Sequence, residues 1–383
     1  MALRISMTDL AQEIICSIAL SNLPHIGLVT AKRLYEEAGS AASIFEHRKH
    51  INDLIPEATS QLQEVLDHCD DALKLAEKEY EYIEQKRIKA YPMNSPEYPQ
   101  RLLECNDAPL ILFFCGNTDL NCRHVINLIG TRRCTQYGKD ICREFVADLK
   151  RECPDALIVS GLAYGIDIHA HRAALQNSMS TVGILAHGLD RIYPALHRQT
   201  AAKMTENGGL LTEYLSGTTP EKINFVRRNR IVAGMSDATI VVESAAHGGA
   251  LITAELASTY NRDVFAFPGR ITDEFSEGCN KLIASQKATM IRNADEFLKT
   301  MGWKQESSNV KGEAEQKDLF PQLTSNEAAI VEVLRNCDSK QINQIVVETG
   351  LSFHIVSSCL YELEYKGVVA LLGGARYRLI VPC

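Results

Sequence analysis

Apolar runs of strand length recur through the middle of the chain. They are Leu110–Phe114, Val125–Gly130, Leu157–Gly161, Thr181–Leu185, Gly208–Tyr214, Ala238–Ser244 and Asp263–Gly269. Most lead through Gly or Ser into a stretch with helical spacing of apolar positions. Short strands that are apolar at successive positions and alternate with helices predict a parallel sheet covered on both faces. Such a sheet binds ligands beyond the carboxyl ends of its strands, where backbone N–H groups and helix N-termini converge.

The pattern changes at both ends. Residues 1–95 read as helical, with helices at Asp9–Leu20, Thr30–Ala38 and Ser60–Arg87, the last carrying Leu62, Leu66, Leu73, Ala76, Tyr80 and Ile83 at three- and four-residue spacing. Leu23–Leu28 is a tight turn, with Thr30 as the expected N-cap and Lys32 and Arg33 behind it. That arrangement resembles a SAM- or helix-hairpin-helix-like module, although the first glycine of the usual hairpin is missing; a purely structural helical domain is the other reading. Pro92, Pro96, Pro99 and Pro109 predict an extended connector, and Leu110–Phe114 an edge strand. Trp303–Pro321 is polar and charged without apolar periodicity, as in a flexible linker. Beyond it Ser325–Asn336, Gln341–Thr349 with Gly350 as C-cap, Phe353–Lys366 and a hairpin Val368–Val381 turning at Gly373-Gly374 read as a winged helix. The expected architecture is therefore α/β. A Rossmann-like parallel-sheet domain (96–302) is flanked by the small helical domain (1–95) and, through the linker (303–321), by a winged-helix domain (322–383).

Composition narrows the class. A chain of 383 residues that is 45% hydrophobic and 23% charged is an ordinary globular protein of two or three domains. It has neither an apolar run of membrane-span length nor a basic-then-apolar leader, so the cytoplasm is expected. None of the twelve cysteines forms a Cys-x-x-Cys pair, and buried free thiols are expected rather than metal ligands or disulfides. A net charge of −8 argues against a protein that coats nucleic acid with its whole surface and leaves room for a local basic groove.

That groove is expected where Gly217–Arg230 sets Lys222, Arg227, Arg228 and Arg230 against Glu221 alone. At helical spacing Phe225, Arg228, Asn229 and Val232 share one side, with Arg227 and Arg230 on an adjacent one. An aromatic ring among guanidinium groups suits a single strand, whose bases stack and whose phosphates pair; a solvated face of ion pairs is the plain alternative. Three strand-to-helix turns adjoin it: Gly130, Thr131 and Arg132; Ser160, Gly161 and Gly165, where Asp167 orients the following helix; and Gly248 and Gly249, with Ser244 and Thr253 as hydroxyl donors. Asn280 and Lys281 open a further helix placed to reach the same rim. His169 and His171 lie two apart on a helix and point to different faces, so no metal is expected. No cofactor is expected either, because neither Gly-x-Gly-x-x-Gly nor Gly-x-x-x-x-Gly-Lys-Ser/Thr occurs.

Taken in order, Ile129–Arg132 with Tyr137-Gly138, Ser160–Asp167 with Ala170-His171, Phe225–Ser236, Gly249–Ala254, Val264–Gly269 and Gly278–Ile283 closely resemble the DNA-processing protein A (DprA, or Smf) family over about residues 100–300. The resemblance implies a bacterial cytoplasmic protein, not an enzyme. Such a protein binds and protects single-stranded DNA and helps load the RecA recombinase in natural transformation, working as a homodimer through a basic pocket on the Rossmann-like domain. Arg132 falls in the family's Gly-Ser/Thr-Arg turn, and Lys222 and Phe225 fall just ahead of its Arg-Asn-Arg motif at Arg228, Asn229 and Arg230. Val226, His197 and Leu215 depart from the usual proline, asparagine and proline. For the tail, five Lys or Arg against six Asp or Glu between Thr324 and Cys383, with Glu362 and Glu364 on the presumed recognition helix, favour protein contact over duplex reading. The rival for the whole is a nucleotide-cleaving phosphoribohydrolase on a related fold. That family's Gly-Gly-x-Gly-Thr-x-x-Glu spacing does not fit Gly249, Thr253 and Glu255.

Overall fold

The central apolar runs form one nine-stranded sheet in the computed structural model, which describes residues 7–304, 323–335, 339–366, 368–372 and 376–379. Its strands are β1 (Lys89–Pro92), β2 (Ile111–Gly116), β3 (Val125–Ile129), β4 (Leu157–Ser160), β5 (Thr181–Ile184), β6 (Gly208–Thr212), β7 (Ala238–Val241), β8 (Asp263–Ala266) and β9 (Thr289–Met290). They lie in the order β1-β2-β6-β5-β4-β3-β7-β8-β9. Pairing is parallel from β6 to β9, and β1 and β2 add an antiparallel edge.

The helices of this unit are α1 (Met7–Ser21), α2 (Leu28–Ala38), α3 (Ala41–Glu46), α4 (Ser60–Asp67), α5 (Asp70–Lys86), α6 (Gln100–Leu103), α7 (Gln136–Glu152), α8 (Ile166–Gln176), α9 (Arg198–Glu206), α10 (Lys222–Gly234), α11 (Gly249–Thr259), α12 (Glu277–Ala284) and α13 (Ala294–Thr300). Along β3, Val125 and Ile129 join an apolar cluster with α10 and α11, while Ile126 and Leu128 join another with α7, α8 and α13. Both faces of the strand are covered, which is why its sequence is apolar at nearly every position. The result is a Rossmann-like, mostly parallel α/β sheet. From β3 the chain winds outward through β4, β5 and β6, then returns across α10 and winds the other way through β7, β8 and β9. The switch point lies between β3 and β7, where open α/β sheets form their ligand crevice.

Several sequence expectations are corrected. Leu110–Phe114 is not at an edge, because β1 pairs outside β2. The proline-rich connector starts at Pro92, the last residue of β1, and contains the turn of helix α6. Ser60–Arg87 is two helices that part at His68 and Cys69, where Asp70 and Asp71 complement the N-terminal dipole of α5. The N-cap of α2 is Gly27 rather than Thr30. Lys32 is no phosphate ligand: it is buried, with Nζ donating to the carbonyls of Leu103 and Cys105 at 2.7 and 2.9 Å. Trp303 belongs to the sheet unit, its ring 4.1 Å from His124 and 5.4 Å from Phe297; residues 305–321 of the expected linker lie outside the described residues.

The chain divides into two compact units, Met1–Gln305 and Glu306–Cys383. The second holds α14 (Ser325–Arg335), α15 (Ile342–Thr349) and α16 (Phe353–Tyr365) over a three-stranded sheet, β10 (Lys340–Gln341), β12 (Arg376–Leu379) and β11 (Val369–Leu372), in that order. Ile330, Leu334, Ile345, Val356, Leu360 and Val369 form its core. Buried Glu327 ties α14 to Lys366 at 2.6 Å. Gly350 closes α15 in the left-handed conformation, as its type favours; the turn expected at Gly373-Gly374 lies outside the described residues.

Candidate nucleic-acid interface

At the switch point the chain encloses a cleft of ≈ 740 Å³. Gly130, Thr131 and Arg132 after β3 form one wall, Gly161 and Asp167 after β4 the floor, and Ser244, His247, Gly248 and Gly249 after β7 the opposite wall. Helix α10 crosses above with Lys222, Phe225, Val226, Arg228, Asn229 and Val232 toward the cavity.

The Arg132 turn is held from below. Thr131 N donates to Glu243 O at 2.7 Å, Thr131 O accepts from Ile166 N at 3.2 Å, and Thr131 Oγ1 accepts from Arg133 N at 3.2 Å. Buried Glu243 then accepts from Thr135 N at 2.9 Å and Thr135 Oγ1 at 2.5 Å, capping α7. A Cβ at Gly130 would stand 2.4 Å from Ile166 and 2.7 Å from Glu243 O, so only glycine lets the start of α8 and the turn after β7 approach this closely. Arg132 itself is exposed, and its guanidinium lies over the Phe225 ring at 5.3 Å, within cation–π range. Tyr193 meets the same ring at 5.7 Å. Phe225 is thus half-buried between an arginine and a tyrosine.

The opposite wall is open backbone. No side chain caps α11, whose N-cap is Gly248. A Cβ at Gly248 would meet nothing nearer than Ser244 Oγ at 3.5 Å, and one at Gly249 nothing nearer than Asn229 at 3.9 Å. An uncapped helix N-terminus presents N–H groups and positive dipole to an anion. Asn229 braces the turn by donating to Gly249 O at 3.5 Å.

Other expected site residues serve the fold. Arg228 lines the cleft, but it is buried and its Nη1 donates to Gly161 O at 2.5 Å and to Ile184 O, tying α10 to the ends of β4 and β5. Burial pulls its pKa down to about 10 against the opposing pull of Asp167. Burial raises the pKa of Asp167, with Arg228 the largest of the groups pulling it back. Its carboxylate accepts from Gly161 N at 3.1 Å, so it orients the turn as well as opening α8. Gly161 and Gly165 are required by protein rather than ligand: a Cβ would stand 2.4 Å from the Arg228 guanidinium in the first case and 2.0 Å from Thr131 O in the second, where φ is +78°. Ser160 is buried and donates to Leu128 O at 2.6 Å. Ser244 and Thr253 line the cleft but donate to Ala245 O and Gly249 O at 3.0 and 3.1 Å.

Ser160, Gly165 and four other expected residues do not line the cleft. Arg230 turns to the far side of α10, where it is buried, pairs with Glu213 and donates to Asp107 O at 2.7 Å. Arg227 is exposed on α10. Asn280 spends its amide on both N and O of Gly269, at 3.2 and 3.0 Å, and Lys281 is exposed on α12. Conversely Tyr193, Glu243 and His247 were not foreseen. Tyr193 and Glu243 reach Phe225 and the Arg132 turn only through tertiary packing, which leaves no periodic signal. His247 had a signal in its place directly before the glycine pair.

Residues 89–302 match the family of the DNA recombination-mediator protein A. The chain belongs to that family. A relative in it, Protein Smf of Synechocystis, is 32% identical over 330 residues, covering 77% of this chain and 81% of that protein. Among solved members, DNA processing protein A of Streptococcus pneumoniae superposes with a TM-score of 0.64 at 30% identity, covering 74% of this chain and 97% of that one. The Helicobacter pylori member, described for its single-stranded DNA binding mode, gives a TM-score of 0.51 at 30% identity over 56% and 95% of the two chains. The family match spans the sheet from β1 to the end of α13 and so contains every wall of the cleft.

Proposed function

We propose that the switch-point cleft binds single-stranded DNA. The observation that carries this is the union, in one cavity, of an uncapped α11 N-terminus behind open glycines, the exposed cations Arg132 and Lys222, and the half-buried ring of Phe225. Phosphates suit the first two and base stacking the third. The direct contacts in this reading are Gly130, Thr131, Arg132, Lys222, Phe225, Asn229, Gly248 and Gly249, with Arg227 and Lys281 as outlying cations. Arg228, Arg230, Ser160, Gly161, Gly165, Thr253 and Asn280 are supports. Strand protection and loading of RecA by a cytoplasmic homodimer during natural transformation extend the reading, and family membership supports them. The helical front is assigned a structural rather than helix-hairpin-helix role because Lys32 is buried, and the tail is assigned as a winged helix that contacts protein.

The nucleotide-cleaving alternative is weakened by its carboxylates. Glu255 is exposed and faces Lys287 at 3.7 Å, and the cleft-lining carboxylate of Asp167 is committed to Gly161 N. The test is fluorescence anisotropy with labelled oligothymidine and a blunt duplex across a salt series. Preference for the single strand, with a log–log salt slope of about −0.7 per phosphate contact, is expected. A flat salt response, or release of base from nucleoside monophosphates without strand binding, would overturn the reading.

A further inference from the structure

The face formed by α7, α8 and α9 carries cations that the cleft does not use. A groove of ≈ 330 Å³ between α7 and α8 is lined by Lys139, Arg143, His169 and Arg172, and one of ≈ 290 Å³ between α8 and α9 by Arg172, Gln176 and Lys203. Arg172 and Gln176 belong to both, so the two grooves adjoin. Arg143 is neutralised by Asp140 at 2.8 Å and Glu144 at 3.6 Å. Among the described residues, by contrast, Lys139, Arg172 and Lys203 have no ion-pair partner.

Fold stability does not explain this arrangement. Lys139 sits in the first turns of α7, where the helix dipole disfavours a cation and favours an anion. The positive field is felt locally: His169 is held below the usual histidine range first by burial and then by Arg172 and Lys139, and His197 likewise by burial and Arg172. The cleft and the first groove are linked along the chain by the start of α8. Ala163 lines the cleft, the same turn runs into α8 at Ile166, and His169 one turn later already lines the first groove. Tyr164, between Ala163 and the start of α8, offers an exposed ring on that segment.

We propose that this face is a phosphate track: the strand gripped by the cleft continues over the start of α8 and lays its backbone across Lys139, Arg172 and Lys203, without base readout. This rests on the single-strand reading above. It predicts that affinity depends on strand length through residues that do not touch the cleft. Each phosphate neutralised steepens the salt dependence, by about 0.7 log units per contact on a single strand.

The test is the triple variant Lys139→Gln, Arg172→Gln, Lys203→Gln in the full chain. It is titrated with oligothymidines of about 6 and about 25 nucleotides, lengths chosen to bracket ordinary single-strand site sizes, with melting temperature recorded in parallel. The expected result is an unchanged melting temperature, short-oligomer affinity within about twofold of wild type, a loss of about tenfold or more on the long oligomer, and a salt slope for the long oligomer reduced by about 2. Equal affinity of variant and wild type for the long oligomer would overturn the track while leaving the cleft reading intact. Equal weakening on both lengths would also overturn it, by placing these residues in the cleft's own machinery. If wild type bound neither oligomer, the cleft reading would fail and the track with it.

Discussion

The Arg132 guanidinium stands 5.3 Å from the centre of the Phe225 ring, so the cation expected to hold phosphate and the ring expected to hold a base are one unit contributed by two distant segments. A cation–π contact at a partly exposed site is worth about 0.5–1 kcal/mol, enough to bias where the long arginine side chain rests. Arg132→Ala is expected to weaken single-strand binding and to flatten the salt slope by about 0.7. Phe225→Ala is expected to lose about 1–3 kcal/mol of binding, with a smaller change in slope. The double variant should lose less than the sum, because each residue presents the other. Additive losses in anisotropy titrations would mean that the pairing has no part in binding.

Glu243 makes a similar argument without touching the cleft. Its carboxylate caps α7 through both Thr135 N and Thr135 Oγ1, and its backbone carbonyl holds Thr131. Glu243→Ala leaves that donor pair without its buried acceptor, at a cost of about 1–3 kcal/mol, and frees the turn that carries Arg132. Thermal melting and strand affinity should therefore both fall, and Glu243→Gln, which keeps one acceptor oxygen, should restore most of each. A variant that melts lower yet binds like wild type would show that Arg132 is positioned by its own contacts alone.

What the sequence made legible, and what it did not, divides along physical lines. The parallel sheet was readable because burial on both faces leaves strands such as Val125–Ile129 apolar at every position but Asn127. The cleft-facing side of α10 was readable because Phe225, Arg228, Asn229 and Val232 repeat at helical spacing, and all four line the cavity. The fate of each charge was not. Arg228 and Arg230 look alike in sequence, yet both are buried against partners such as Gly161, Ile184, Asp107 and Glu213 that only the fold brings to α10. The same holds for Lys32, whose carbonyl partners lie more than seventy residues on, at separations of 71 and 73.

The contrast between neighbours Arg227 and Arg228 is testable. Arg228 is 3% exposed and supplies the donors for two strand-end carbonyls. Arg228→Ala should cost on the order of 3–5 kcal/mol, the range for removing one member of a buried charged network. Arg227→Ala should leave melting within about 0.5 kcal/mol of wild type, as for an exposed residue, while weakening strand binding modestly. Urea denaturation of the two variants separates them, and equal stability would refute the structural role of Arg228.

A last prediction concerns pH and the buried His171. Thr181 Oγ1 donates its proton to Ile158 O at 2.8 Å, so the 2.7 Å contact with His171 requires the histidine's Nδ1–H to be the donor. Nε2 then carries a bare lone pair, buried and without a partner among the described residues. Charging the ring would place a cation in that apolar site, and burial pulls its pKa down to about 3, from an ordinary value of about 6.5. Between those values the unfolded chain binds a proton that the folded chain refuses, so the stability contributed by His171 is intact above about pH 6.5 and is lost as pH falls toward 3. The slope from this one group approaches about 1.4 kcal/mol per pH unit. His124, His169, His187 and His197 are also held below their ordinary range, each chiefly by burial, and act in the same direction. The informative quantity is therefore the difference between wild type and His171→Gln. The variant should be less stable at pH 7, through lost packing, and should lose stability more slowly on acidification from pH 6 to 4. Parallel stability curves over that interval would mean that the folded protein protonates His171 freely, and the buried neutral ring would have to be abandoned.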